Sequence, residues 1–143
     1  MSQATANTQR RLRDLSLVKT IALPAAGATA VTPSVDFGTV NLGPTGDEVE
    51  VEISRPATPS LVDAKTISDV LTDSADNVTF AAIVGGPAAI VTTGAGGVGA
   101  AVLLKRVRLP SSTRRYVRLE SSVLTAGGDN TAIVSTMAVL AIN

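Results

Sequence analysis

Short apolar runs separated by turn-forming residues set the pattern of this chain from about residue 15 onward. Gly and Pro recur at short intervals, and the runs between them are rich in Val, Ile and Thr. This rhythm is typical of a sandwich or barrel built from many short strands. It predicts one all-β domain over residues 15–143, preceded by a small, polar, flexible arm over residues 1–14.

Two segments give the strongest strand signals. Residues 47–53 read DEVEVEI, so acids alternate with apolar residues, and one face of the strand is wet while the other is buried. Residues 131–142 are nearly all apolar, and we expect this strand to be central or covered because an exposed one would aggregate. Further strands are predicted at residues 17–23, 28–40, 77–84, 88–93, 100–109 and 115–122.

The segment between residues 58 and 71 has two interpretations. Residues 58–60 read TPS, a fitting start for a helix, and apolar residues follow at helical spacing: Leu61, Ala64, Ile67 and Leu71. Alternatively, Ile67, Asp69 and Leu71 share one face of a strand. We favour a strand that begins near Lys65.

The composition argues against an enzyme and for a protein that assembles. The chain has no histidine and no cysteine, so it lacks the commonest general base, the usual triad partner and thiolate metal ligands. Phe37, Phe80 and Tyr116 are its only aromatic residues, so aliphatic side chains must fill the core. Each of these contributes only about 1.5–3 kcal/mol on full burial. A core this light gains from burying surface between subunits, and we expect a homo-oligomer, either a dimer or a trimer.

The charges are separated along the chain although they sum to zero. Residues 36–76 hold nine acids against Arg55 and Lys65, whereas residues 105–118 hold six bases and no acid. This layout suits electrostatic docking onto another subunit or a partner. A pair of solvated strands with basic outer positions explains it equally well. Because only Tyr116 is available for stacking, we expect no specific binding to nucleic acid.

Residues 94–99, GAGGVG, match the G-x-G-x-x-G pattern of a dinucleotide-binding loop, and Glu120 follows near the position of a ribose-binding acid. In that fold a helix begins at the loop, and its N-terminus binds the pyrophosphate. Here Pro110 and a basic stretch follow, and the chain upstream shows no alternation of strands and helices. We therefore prefer a glycine-rich hairpin loop, and a nucleotide-binding protein is the alternative from a different class.

Three acids, Asp69, Asp73 and Asp76, lie close enough in sequence to bind calcium, but their spacing does not match the calcium-binding loop D-x-[DN]-x-[DN]-G. Residues 73–77, DSADN, are also ordinary turn chemistry, and we predict a turn. We expect no metal and no cofactor. The chain has no apolar run of about 18 residues, so no membrane span is predicted.

Three segments resemble the small jelly-roll cement (decoration) proteins on the capsids of some tailed bacteriophages. The first motif segment, residues 34–38 (SVDFG), resembles the family's early S-x-D-x-G strand end. The second, residues 66–80 (TISDVLTDSADNVTF), resembles its strand–DSAD–strand hairpin. The third, residues 109–119 (LPSSTRRYVRL), resembles its L-P-x-G-x-R-R-Y-V-R-L connection, with Ser112 in place of the glycine. The match spans roughly residues 30–142.

The resemblance implies a jelly-roll-type β-sandwich that is a structural protein of the virion. Such a protein is made in the cytoplasm of the host bacterium and stabilises the outer capsid surface. It has no catalytic group, and its partners are the major capsid protein and copies of itself. Another phage head or tail protein is the nearest rival. In this hypothesis the contact residues lie on the arm and the basic connection: Arg10, Arg11, Arg13, Arg106, Arg108, Arg114 and Arg115.

Overall fold

Strands and loops make up the described part of the computed structural model, which covers residues 11–41 and 49–142. Those ranges contain no helix, and hence none that is long and apolar enough to cross a membrane. The strands found there are β1 (Arg11–Ala22), β2 (Thr29–Val31), β3 (Val35–Asn41), β4 (Val49–Arg55), β5 (Thr66–Ser74), β6 (Ala81–Ala82), β7 (Ile90–Thr93), β8 (Leu103–Arg108), β9 (Arg114–Val123) and β10 (Val134–Ile142).

These strands form two antiparallel sheets that pack face to face. Sheet A has the order β1-β10-β4-β8. In sheet B, β9 pairs with β5 on one side and with both β2 and β3 on the other. The far side of β5 pairs with β6 and β7. The all-β sandwich predicted from the sequence is therefore confirmed.

The two strongest strand predictions are confirmed in sheet A. In β4, Val51 and Ile53 face inward and are fully buried. Glu50 and Glu52 lie on the opposite face, where they contact arginines of β8, and Glu50 is only 5% exposed there, so this face is less wet than expected. The apolar strand β10 lies between β1 and β4, so both of its edges are paired, as expected for a strand that would otherwise aggregate.

One predicted strand is split in two, because Pro33 interrupts the segment expected over residues 28–40. Proline has no N–H to donate to a neighbouring strand. Beside it, the Thr32 N–H donates to the Leu119 carbonyl at 2.9 Å. The Leu119 N–H in turn donates to the Thr32 hydroxyl oxygen at 3.0 Å. The resulting strands, β2 and β3, both pair with β9.

The strand predicted over residues 77–84 is largely wrong, because only Ala81–Ala82 (β6) is extended there and a turn occupies the residues before it. Two other predicted boundaries differ less. β5 begins at Thr66, which confirms a strand from near Lys65 and excludes a helix over residues 58–71. β1 begins at Arg11, so residues 11–14 of the expected arm belong to a strand that pairs with β10. Residues 1–10 lie outside the described residues.

Aliphatic side chains fill the space between the sheets in two clusters. Phe37 packs only against the margin of the larger one. Neither cluster has a buried aromatic member, as the composition predicted. The larger cluster consists of Val35, Val51, Ile53, Leu71, Ile83, Leu103, Leu109, Val117, Leu119, Met137 and Val139. The smaller cluster consists of Leu23, Leu61, Ile67 and Val123.

Replacing Leu119 by Ala should lower the free energy of unfolding by about 2–5 kcal/mol, because truncating a core leucine leaves a cavity. Leu119 is 0% exposed. Leu124→Ala is the matched control on the same chain, since Leu124 is 48% exposed and its loss should change stability by only about 0.5 kcal/mol. Urea unfolding followed by circular dichroism measures both, and equal losses would contradict the described core.

Candidate functional site

A buried ion pair joins the two sheets. Arg55 at the end of β4 and Asp69 in β5 have side chains that are 1% and 0% exposed, and Arg55 Nη1 lies 2.8 Å from Asp69 Oδ2. The Ser121 hydroxyl donates to Asp69 Oδ1 at 2.6 Å. Arg55 also donates to the hydroxyl oxygens of Thr92 at 3.0 Å and Ser135 at 3.4 Å. Both charges are thus hydrogen-bonded as well as paired, which offsets the cost of burying them.

This network forms a polar layer between the two apolar clusters. Along the inward face of β5, Ile67 belongs to the smaller cluster, Asp69 to the network and Leu71 to the larger cluster. β9 repeats this order around Ser121, which is the register partner of Asp69. Both charged side chains and both serines of this layer are buried, and Thr92 is half-buried, so the layer can lock the sheets together.

Sequence analysis did not find this pair. Arg55 is followed by Pro56 at a strand end, a place where an exposed cation is ordinary. The sequence feature that points to a buried ion pair is Asp69, because it shares its strand face with Ile67 and Leu71. A carboxylate on an apolar face requires a buried partner.

Two further ion pairs hold the beginning of β9. Arg114 donates from Nε and Nη2 to Asp73 Oδ1 at 2.9 and 2.6 Å, and its backbone N–H donates to Oδ2 at 2.9 Å. Arg115 donates from Nε and Nη2 to the two carboxylate oxygens of Asp36 at 2.7 and 2.9 Å. The Asp73 side chain is 3% exposed, whereas that of Asp36 is 46% exposed. The Arg115 guanidinium and the Gly38 N–H hold the pKa of Asp36 below its ordinary value.

Asp76 caps the turn that follows β5, as the sequence predicted. Its Oδ1 accepts hydrogen bonds from the backbone N–H groups of Thr79 and Val78 at 3.0 and 2.9 Å and from the Ser74 hydroxyl at 2.8 Å. These donors, with Thr79 contributing most, lower the pKa of Asp76 to about 2.

The three motif segments contact one another in the folded chain. The first and second are joined by the Ser34 hydroxyl, which donates to Asn77 Oδ1 at 2.6 Å. The first and third are joined by the Asp36–Arg115 pair. The second and third are joined by Asp73–Arg114 and by the Arg118 guanidinium, which lies 3.9 Å from the centre of the Phe80 ring. We call this connected set the motif cluster.

The predicted contact residues on β8 are paired within the molecule but remain exposed. Arg106 Nε lies 2.9 Å from Glu52 Oε2, and Arg108 Nε lies 3.6 Å from Glu50 Oε1. The two arginine side chains are 45% and 62% exposed. Acids and bases that are separated along the chain are therefore brought together by the pairing of β4 with β8.

The other predicted contact residues occupy different places, and the structure does not gather all seven arginines into one patch. Arg114 is largely engaged by Asp73, while Arg115 is exposed in its pair with Asp36. Arg11 and Arg13 lie in β1, but their side chains are outside the described part. Arg10 lies outside the described residues altogether.

Residues 94–99 form a tight loop that leads toward β8 and not into a helix. The Gly97 N–H donates to both carboxylate oxygens of Asp63 at 2.9 and 3.2 Å, so an internal carboxylate occupies this donor. A Cβ on Gly99, whose φ is +73°, would collide with the backbone of Thr58. The glycines thus serve the turn and its packing. The loop is not a hairpin as predicted, because β7 and β8 belong to different sheets.

The three acids considered for calcium have three separate roles. Asp69 pairs with Arg55, Asp73 pairs with Arg114, and Asp76 caps its own turn. Within residues 11–41 and 49–142, no group of three or more His, Cys, Asp or Glu side chains is arranged to hold a metal ion.

Comparison with known proteins gives only weak structural likenesses. No family model matches the chain, and no curated protein matches it. Among solved structures, the chain is similar to the K1 cleaved adhesin domain of Lys-gingipain from Porphyromonas gingivalis W83. The TM-score is 0.37 and the identity 15%, over 99% of this chain and 89% of that chain. A likeness of this size carries no argument about fold or function.

Replacing Asp69 by Ala should lower the free energy of unfolding by about 3–5 kcal/mol, because Arg55 would remain buried without its partner. Replacing the pair together, Arg55→Met with Asp69→Leu, should restore most of that loss. Urea unfolding of the single and double variants measures the coupling. A loss below about 1 kcal/mol, the usual worth of an exposed pair, would show that Arg55 escapes to solvent. Asp36→Ala, at the exposed pair with Arg115, is the matched control.

Lowering the pH should loosen the turn after β5 in a defined window. The pKa of Asp76 is depressed in the folded state, so its contribution is fully present above the ordinary value of 3.8 and is lost as the pH falls through about 2. The amide proton shifts of Val78 and Thr79, followed by NMR, should therefore titrate with a midpoint near 2. A midpoint near 3.8 would argue against the cap, and Asp76→Asn should abolish the transition.

Proposed function

We propose that this chain is a structural virion protein that decorates and stabilises the capsid of a tailed bacteriophage by binding the lattice of the major capsid protein. The proposal begins from the resemblance of three segments to the jelly-roll cement proteins. The structural observation that carries it is the motif cluster. Residues that resemble the family at three separate places in the sequence are bound to one another in space.

The order of the strands also supports a fold of the jelly-roll type. If β2–β3 and β6–β7 each count as one position, each sheet has four positions. The chain then crosses to the other sheet at every connection except the one from β5 to β6–β7. A double sheet of eight strands is the jelly-roll arrangement, which is common in viral capsid domains.

A cement protein acts by mass action and needs no catalytic group. A protein that binds the assembled lattice better than separated subunits shifts the equilibrium toward the lattice. Many copies on one shell add the gain of multivalency. This chain suits such a role because its buried charges fix the two sheets together and leave a rigid body to present a surface.

The contact surface in this proposal uses the cations that remain exposed after folding. Among the predicted contact residues, the side chains of Arg106, Arg108 and Arg115 are 45%, 62% and 42% exposed, and that of Arg114 is 37% exposed. Arg10, Arg11 and Arg13 stay candidates on the N-terminal segment. Arg114 becomes a positioning residue, because its guanidinium and backbone N–H both bind Asp73. Assembly as a dimer or trimer remains part of the proposal, since the core contains few large side chains.

Quantitative mass spectrometry of purified virions tests the proposal first, on the phage or prophage that encodes this chain. A copy number comparable with that of the major capsid protein is the expected result. A handful of copies per particle would place the protein at a vertex or in the tail. Its complete absence from virions would overturn any virion role.

Reconstitution gives a second readout on capsids that lack the protein. The purified chain should bind these capsids saturably and raise the temperature at which they release DNA, because it favours the closed lattice. Unassembled capsid protein is the control and should bind it more weakly. Equal affinity for free subunits and capsids would contradict a cementing action.

A further inference from the structure

β8 is an open edge of sheet A. In the part of the chain that the structure describes, it pairs with β4 alone. An edge strand presents a row of backbone N–H and C=O groups that can pair with another chain. Such an edge is either protected against pairing or used for it, and its side chains decide which.

Positively charged side chains lie along β8 from residue 105 to residue 108. Arg106 and Arg108 lie on the outer face, with 45% and 62% of their side chains exposed even though each contacts an acid of β4. Lys105 lies on the other face and is also exposed. Two copies of β8 placed antiparallel would bring these cations face to face, which is destabilising. The edge is therefore protected against pairing with itself.

An exposed apolar groove lies at the other end of the same edge. It crosses the outer face of sheet A between the beginnings of β8 and β10 and the end of β4, and its apolar lining includes Pro56, Val102, Leu104 and Val134. Val102, Leu104 and Val134 are 70%, 58% and 43% exposed. Side chains of this kind beside an open edge offer a pocket for one apolar residue of an added strand.

We propose that the β8 edge binds an extended, acidic segment of another protein by strand addition. The added strand pairs with the backbone of residues 103–108, places its acids against Arg106 and Arg108 on the outer face, and inserts an apolar side chain of the same face into the groove. The protein itself contains the template for this recognition, because β4 already pairs with β8 in that way. Glu52 and Glu50 of β4 lie directly opposite Arg106 and Arg108.

The observations favour a peptide over nucleic acid. Proteins that bind single strands combine a basic groove with aromatic side chains on which bases stack. The groove beside β8 has an aliphatic lining, and neither the groove nor β8 contains an aromatic residue. This proposal concerns the edge itself and stands without the capsid role, so virion composition and edge binding can fail separately.

The test uses a synthetic peptide that copies residues 48–53 and ends in leucine in place of Ser54, EVEVEIL, so that an apolar side chain lies opposite Leu104 beside the groove. It is titrated into the full isotopically labelled chain and followed by NMR. The amide shifts of residues 103–108 should change, and affinity should fall as salt is added. A peptide with its three glutamates replaced by glutamine should bind roughly tenfold more weakly, because rim charges steer and fix such contacts. A peptide that is N-methylated at alternate residues should not bind, since it cannot form the ladder.

A matched pair of variants separates the edge from general charge effects. Arg108→Gln should weaken binding several-fold, whereas Lys19→Gln, on the opposite edge strand β1 of the same sheet, should leave it unchanged. Circular dichroism checks that both variants keep their strand content.

Four results would each overturn the proposal. The first is that the peptide produces no shift changes at millimolar concentration, or only changes outside β8. The second is that the glutamine peptide binds as tightly as the acidic one. The third is that the chain self-associates through β8 in sedimentation experiments, which would make a second copy the occupant. The fourth is that an oligodeoxythymidylate binds this edge more tightly than the acidic peptide, which would make the edge a nucleic-acid surface.

Discussion

The buried pair of Arg55 and Asp69 is the interaction on which the rest of the sandwich depends. A core of Val, Leu, Ile and Ala is held by non-directional contacts, and such side chains tolerate alternative packings. The ion pair with its hydroxyl partners draws on β4, β5, β7, β9 and β10, so it connects strands of both sheets. A slip of one residue in β5 would turn Asp69 outward and leave Arg55 buried without a carboxylate. The network therefore penalises a one-residue slip of β5.

The remaining charges divide into those that complete the fold and those left at its surface. Asp73 and Arg114 belong to the first group because four hydrogen bonds from the side chain and backbone of Arg114 fix them at the start of β9. Arg106 and Arg108 belong to the second, because they contact acids of β4 and still face solvent. A single basic stretch of the sequence thus supplies both an internal brace and an external surface.

Local patterns predicted much of the fold, and the pairing across sheets is what they could not reveal. The strands β4 and β10 were predictable because the burial of a strand's two faces is visible in the alternation or run of apolar residues within that strand alone. The split at Pro33 was readable in principle, since proline cannot pair there on both sides. The partner of Asp69 was not readable, because Arg55 lies on another sheet and becomes its neighbour only when the sheets pack. The sequence also did not separate Arg114 from Arg106 as candidate contact residues, because it does not show that β9 pairs with β5 and thereby brings Arg114 to the buried Asp73.

The position of β10 bears on how the chain reaches its native state. β10 is synthesised after all the other described strands, yet it lies in the middle of sheet A, and Ala22 pairs with Val134 across more than a hundred residues of sequence. β10 is the strand that joins β1 to β4, so the four strands of sheet A form one sheet only after β10 has inserted. Contacts of such long sequence separation slow folding, because the loop must close before they form. We therefore expect sheet A to close only once β10 has been synthesised, and the facing edges of β1 and β4 to stay unpaired until then.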